Sequence, residues 1–250
     1  MSAPRLFVNE KISAQSEITL RDEAARYIGR VLRSRPGDTL QLFDGSGAEF
    51  LASIVRISRQ DVLLHVTDAT DRNVESPLDV RLVQGISRGE RMDTVVQKAV
   101  ELGVRRITPL QTEFSVVRLA AERATRRRQH WQRIAESACE QCGRNLPPII
   151  DPALSFQEFL GNTAAADCTR LVLLPGAALS IDKIDEPRAG VELLIGPEGG
   201  LSDSESAQAL AQGFVPVAMG PRILRTETAA IAALTLVQAL WGDLANRSAT

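Results

Sequence analysis

The sequence is short of several residue types, and each shortage narrows what the chain can be. It holds three cysteines, Cys139, Cys142 and Cys168, an odd set without the makings of a disulfide framework. A zinc site wants four ligands, yet no second C-x-x-C accompanies Cys139–Cys142, and the two histidines, His65 and His130, lie far apart. Thioredoxin-type chemistry would place that motif at the start of a helix, whereas here it closes a helix-like stretch. No metal is therefore expected. No apolar run approaches the roughly 20 residues that span a bilayer, and the first ten residues lack a signal-peptide hydrophobic region. These absences predict a cytoplasmic protein with no membrane partner. There is neither a G-x-x-x-x-G-K-[ST] nor a G-x-G-x-x-G, so the usual phosphate-cradling motifs are missing.

Net charge is also scarce, at −2 overall, with 44% hydrophobic and 24% charged residues, as in ordinary globular proteins. The distribution is uneven: net charge is 0 over residues 1–72, +4 over 73–150 and −6 over 151–250. A basic middle can steer a phosphate backbone locally on a near-neutral protein. The 250 residues allow one large or two modest domains.

What the chain does have is concentrated in residues 191–232. Two apolar runs, Leu193–Ile195 and Val215–Met219, each end in Gly-Pro, as buried strands opening into loops do. Ser202 with Glu205 forms a capping-box pattern after the first loop, and Thr226 precedes an alanine-rich helix after the second. The two loops are expected at one carboxyl edge of a parallel α/β sheet, where ligands bind. Arg170–Leu174, ending at Pro175-Gly176, predicts a third such edge.

The stretches L-L-I-G-P-E-G-G-L-S and M-G-P-R-I-L-R-T-E-T-A resemble the RsmE family of small-subunit ribosomal RNA uridine-N3 methyltransferases, in the SPOUT superfamily. The resemblance extends over nearly the whole chain: P-R-L-F-V at 4–8, G-R-V-L-R at 29–33, L-F-D-G-S-G at 42–47, S-R-G-E-R-M-D at 87–93, Q-K-A-V-E-L-G-V at 97–104 and A-C-E-Q-C-G-R at 138–144. It implies a small β-barrel PUA-like RNA-binding domain, placed at residues 1–72. A parallel-sheet methyltransferase domain follows at 73–250, its chain threaded as a trefoil knot that holds S-adenosyl-L-methionine. It also implies a homodimer that pairs helices of the knotted domain, and 16S ribosomal RNA or the small ribosomal subunit as partner.

Within the first segment, short strand-like runs alternate with Pro-Gly-Asp and Asp-Gly-Ser-Gly turn signals around one helix-like segment, Asp22–Leu32. Arg5, Arg30 and Arg33 are candidate contacts to RNA phosphates. The family usually carries histidine in this helix where the chain has Arg26 and Tyr27. In the second segment, strand 78–86, helix 90–102 stopped by Gly103, and strand 106–110 read as a parallel β-α-β unit. A long helix is expected over 119–142, with Arg123, Arg126, Arg127, Arg128 and Arg133 along it. Arg88, Arg91 and Arg144 complete the RNA-contact candidates, with Glu140 and Gln141 near the substrate cleft in the family.

The cofactor candidates are Leu174, Pro175, Gly176, Ile195, Gly196, Pro197, Gly200, Met219, Gly220, Ile223, Leu224 and Thr226. Glycine-bearing loops can offer backbone N–H and C=O groups to an adenine edge, with aliphatic side chains on its faces. Methyl transfer to uridine N3 requires loss of a proton, which puts charge on the flanking carbonyls. Arg225 is the candidate that stabilises that charge. Glu227, then Glu198, are candidate proton acceptors, with helix-start capping as their alternative role. Two other activities stay open. One is ribose 2′-O-methylation, disfavoured because Gln97-Lys98-Ala99-Val100-Glu101 stands where that sister group carries an Asn-x-x-x-Arg-type motif. The other is a non-catalytic RNA-binding assembly factor.

Overall fold

The structure is a computed structural model that describes residues 3–115, 121–161 and 167–245. The chain divides into two compact units, residues 1–75 with 139–147, and residues 76–138 with 148–250.

The first unit is built on strands β1 (Arg5–Phe7), β2 (Ser16–Arg21), β3 (Thr39–Phe43), β4 (Glu49–Ile57) and β5 (Asp61–Thr70), in the order β1-β3-β4-β5-β2. Only β1 and β3 run parallel; the other pairs are antiparallel. In β5 the buried Val62, Leu64 and Val66 alternate with the less buried Asp61, Leu63, His65 and Thr67, so one face is turned to the core and the other toward water. The buried faces close over a core with Leu42, Phe50, Ile54 and Leu64. Helix α1 (Asp22–Arg26) widens into a π-helical turn over Tyr27–Val31 and drops Ile28 into that core. Arg30 and Arg33 remain exposed.

The segment 139–147 is fastened into this unit by charge-assisted hydrogen bonds. Glu75 accepts from Arg144 Nε (2.8 Å) and from the N–H groups of Asn145 and Leu146 (both 3.0 Å). Asn145 Nδ2 donates to the Arg72 and Gly47 carbonyls. Arg5 pairs with the buried Glu49, donates to Asn145 Oδ1 (2.8 Å) and stacks over Phe43. Burial, reinforced by the Arg72 charge, lowers the pKa of Arg5. Two expectations are corrected here. The side chains of Arg5 and Arg144 are 10% and 4% exposed, and both are committed to carboxylates, so they hold this unit together instead of presenting guanidinium groups to a phosphate. Glu140 likewise accepts from the Phe7 N–H (3.0 Å). A hydrogen bond with Cys142, together with burial, pushes the Cys139 thiol far up, away from thiolate chemistry.

The second unit contains β6 (Val80–Gly85), α2 (Arg91–Glu101), β7 (Arg106–Gln111), α3 (Ala121–Cys142, whose last turn belongs to the first unit), β8 (Ile149–Ile150), β9 (Leu154–Ser155), α4 (Phe156–Gly161), β10 (Thr169–Leu173), β11 (Leu179–Ser180), β12 (Val191–Ile195), α5 (Asp203–Ala211), β13 (Val215–Ala218) and α6 (Thr226–Trp241). Residues 119 and 120, where a helix start was expected, lie outside the described residues. The sheet is parallel throughout, in the order β11-β13-β10-β12-β6-β7-β8, with β9 also on β7. Strand β12, Val-Glu-Leu-Leu-Ile, is buried at every position, as a central parallel strand covered on both faces should be. Gly103, with φ +77°, ends α2 as a left-handed cap. Trp131 on α3, 1% exposed, donates to Asp93 on α2 (3.1 Å), and His130 bonds the same carboxylate (2.8 Å). Arg128 Nε donates to the Ile150 carbonyl (2.7 Å), while Arg123, Arg126 and Arg133 are exposed. Among the described residues, no helix is long and apolar enough to cross a membrane, and no cluster of His, Cys, Asp or Glu is arranged to hold a metal.

Candidate active site

Three neighbouring strands, β13, β10 and β12, end at one edge of the sheet because all run the same way. Their loops, residues 173–177, 195–201 and 217–226, surround a cavity of about 930 Å³. Every residue named above for the cofactor lines it, as do Glu198, Arg225, Glu227 and Arg91. Ile223 stands at the rim, 87% exposed.

Backbone packing holds the loops this close. A Cβ on Gly85, at the end of β6, would fall 2.3 Å from the Pro197 nitrogen, so the G-P-E-G-G loop lies against a position where no other residue fits without displacement. Gly200, at φ +74°, donates to the Pro197 carbonyl (2.9 Å) and closes the turn. Side chains then tie one loop to the next. Thr226 Oγ1 donates to the Gly196 carbonyl (2.7 Å) and accepts from the buried Gln84 Nε2 (2.9 Å). Ser202 and Glu205 form the expected capping box at α5, worth about 1 kcal/mol in such settings.

The charged groups gather on one side. Arg91 Nη1 is 2.6 Å from Glu198 Oε1, and Arg91 Nε is 3.7 Å from Glu227 Oε1. Burial alone would raise the Glu198 pKa. The N–H groups of Arg88 and of Glu198 itself, with Arg91, outweigh it and hold the carboxyl below its ordinary value. Glu227 lies in the first turn of α6, where the helix dipole favours an anion. Its Oε2 is buried and has no hydrogen-bond partner among the described residues. Arg225 is the residue before that helix, exposed and on the cavity wall. A second cavity of about 630 Å³ is bounded by Arg88, Gly89, Glu90, Arg91, Thr94 and Glu227, and so shares two walls with the first.

Such a site can hold a polar organic ligand through peptide groups, with aliphatic contact from Leu174, Ile195 and Leu224. Sequence reading did not single out Gln84, Glu205 as more than a cap, or the loop end Phe114. A polar residue after the apolar pair Leu82-Val83 in β6 was the only signal for Gln84.

Residues 74–238 match the RNA methyltransferase domain family, and residues 20–67 match the RNA methyltransferase PUA domain. A relative from Buchnera aphidicola subsp. Schizaphis graminum, named ribosomal RNA small subunit methyltransferase E, is 36% identical over 241 residues, covering 96% of this chain and 98% of its own. The chain belongs to the ribosomal RNA small subunit methyltransferase E family. A methyltransferase E from Neisseria gonorrhoeae, solved bound to S-adenosyl methionine, is 37% identical with a TM-score of 0.91, over 97% of this chain and all of its own. A Legionella pneumophila protein solved with bound cofactor SAM is 39% identical, with a TM-score of 0.93 over 98% of this chain and 100% of its own. Methyltransferase E membership thus joins a PUA domain and a parallel-sheet RNA methyltransferase domain in the order found here.

Proposed function

We propose that the protein methylates small-subunit ribosomal RNA with S-adenosyl-L-methionine, at N3 of one uridine in 16S RNA. The observation that carries this is the convergence of three glycine-bearing strand-end loops on one cavity. That cavity's size falls in the range of about 300–1,000 Å³ usual for cofactor pockets. Its residues fit the group: peptide N–H and C=O groups and aliphatic walls suit the adenine, and Glu198 and Glu227 supply negative charge near a cationic sulfur. When bound, S-adenosylmethionine supplies a methyl group on sulfonium, which leaves as a neutral thioether.

The chain's own residues do the rest. The loops fix the donor's position, which supplies much of the catalysis in an in-line displacement. Arg225 stabilises charge on the uracil carbonyls, and Glu227 takes the N3 proton. Glu198, ion-paired with Arg91 and with a lowered pKa, is the second choice. Arg30, Arg33 and Arg88, all exposed, contact RNA phosphates. The unit of residues 1–75 with 139–147 acts as the RNA-binding domain, and that of residues 76–138 with 148–250 as the catalytic domain, threaded as the knot that the resemblance implies. The working form is a cytoplasmic homodimer acting on RNA or the small subunit. On α6, Ala232, Leu236 and Ala239 share one incompletely buried face, which supports the dimer. Calorimetry with S-adenosylmethionine, followed by mass analysis of nucleosides from treated RNA, tests the reading. A 3-methyluridine product is expected; a 2′-O-methylated nucleoside or absence of donor binding would refute it. Light scattering at micromolar concentration checks the dimer.

A further inference from the structure

We propose that the second cavity seats the nucleotide to be modified, with its phosphate at Arg88 and its base edge at Glu227, and that Arg91 is the positioning residue between the two cavities. This deepens the function proposed above and rests on it.

The first ground is adjacency. A methyl group moves only between atoms in van der Waals reach, so the acceptor site must adjoin the donor site. The second cavity shares Arg91 and Glu227 with the first. The second ground is polarity. Arg88 is exposed, and no partner for its guanidinium is recorded among the described residues. Its neighbour Gly89 has open space where a Cβ would stand. The lining thus offers an accessible guanidinium, with the exposed Glu90 beside it.

Glu227 also lines this cavity, and its Oε2 is a buried acceptor that lacks a donor among the described residues. A ligand that satisfies both residues is anionic at one point and offers an N–H at another. A uridine nucleotide does so, through its phosphate and N3–H. Cytosine has a lone pair at N3, which a carboxylate repels, so the same oxygen distinguishes the two pyrimidines. The proton transfer is simple: the N3–H bond breaks, its electron pair stays on the ring, and Glu227 becomes the acid, later releasing the proton to water.

Arg91 makes this arrangement possible. Through Nη1 it holds Glu198, and through Nε it faces Glu227 Oε1, leaving Oε2 for the ligand. It orients the carboxylate and need not touch the reacting atoms.

The test uses the full chain and small-subunit ribosomal RNA from cells lacking this modification. RNA affinity is read by fluorescence anisotropy, donor affinity by calorimetry and rate by single turnover. Arg88→Ala should weaken RNA binding and lower the salt-dependence slope by about one unit, without changing donor affinity. Glu227→Gln should slow transfer by about 100-fold or more with RNA affinity kept. Arg91→Ala should lower the rate and Arg91→Lys should recover part of it. Unchanged RNA affinity and salt slope in Arg88→Ala, or full rate in Glu227→Gln, would overturn the cavity assignment while the wild type still methylates. A wild type that binds no donor would instead remove the function and the assignment together.

Discussion

Glu205 accepts the peptide N–H of Glu113 at 2.8 Å with one carboxylate oxygen, and the N–H of Ser202 at 3.0 Å with the other. One buried side chain therefore caps α5 and anchors the loop after β7. That loop carries Phe114, whose Cβ would lie 2.7 Å from a Cβ on Gly199, so it backs the G-P-E-G-G loop directly. Glu205→Ala should cost about 1–3 kcal/mol by leaving buried donors unmatched. It should also weaken S-adenosylmethionine binding. Urea unfolding and calorimetry on the same preparation check both; a stability loss with unchanged donor affinity would mean that the loop is held by other contacts.

Gly85→Ala is expected to be worse than its single methyl suggests. The new carbon would strike the Pro197 backbone, which cannot rotate away as a flexible side chain could. Overpacking of this kind costs about 1–3 kcal/mol. Because the displaced element is the cofactor loop, donor affinity should fall more than thermal stability does. Thermal unfolding with and without S-adenosylmethionine separates the two effects.

Thr226→Val keeps the shape and removes the hydroxyl. The Gly196 carbonyl then loses a 2.7 Å donor, and Gln84 Nε2 loses its acceptor on that side. The expected cost is about 1–3 kcal/mol. Thr226→Ser, which retains the hydroxyl, should restore most of the donor affinity measured by calorimetry.

Glu198 gives a dependence on pH with a definite sign. Its carboxyl in the folded chain lies below the ordinary 4.5. A depressed folded pKa stabilises the fold above the unfolded value, and the contribution is lost as pH falls through the folded value. Glu198→Gln should therefore be less stable than wild type at pH 6–7, by a constant margin, and the gap should close below about pH 4.5. A gap that widens on acidification would contradict the ion pair with Arg91.

Much of this architecture could be read from residue order, and the reasons differ by element. The strands Val191–Ile195 and Val215–Ala218 were legible because the apolar runs Leu193–Ile195 and Val215–Met219 each stop at Gly-Pro, a pattern with few other uses. The cap at Ser202 was legible because its two partners are three residues apart. Arg5 and Arg144 were misread because their partners, Glu49 and Glu75, are distant in the chain, and charge alone cannot tell a buried ion pair from a phosphate contact. Gln84 and Glu113 matter only through neighbours that folding brings to them. Local patterns reveal caps and strand ends; long-range pairings do not leave such marks.

Strand β13 joins the sheet between β11 and β10 although it follows both of them in sequence. Its insertion completes the cavity wall at residues 217–226. A polypeptide cut short near residue 210 keeps two of the three loops and lacks the third wall of the donor cavity.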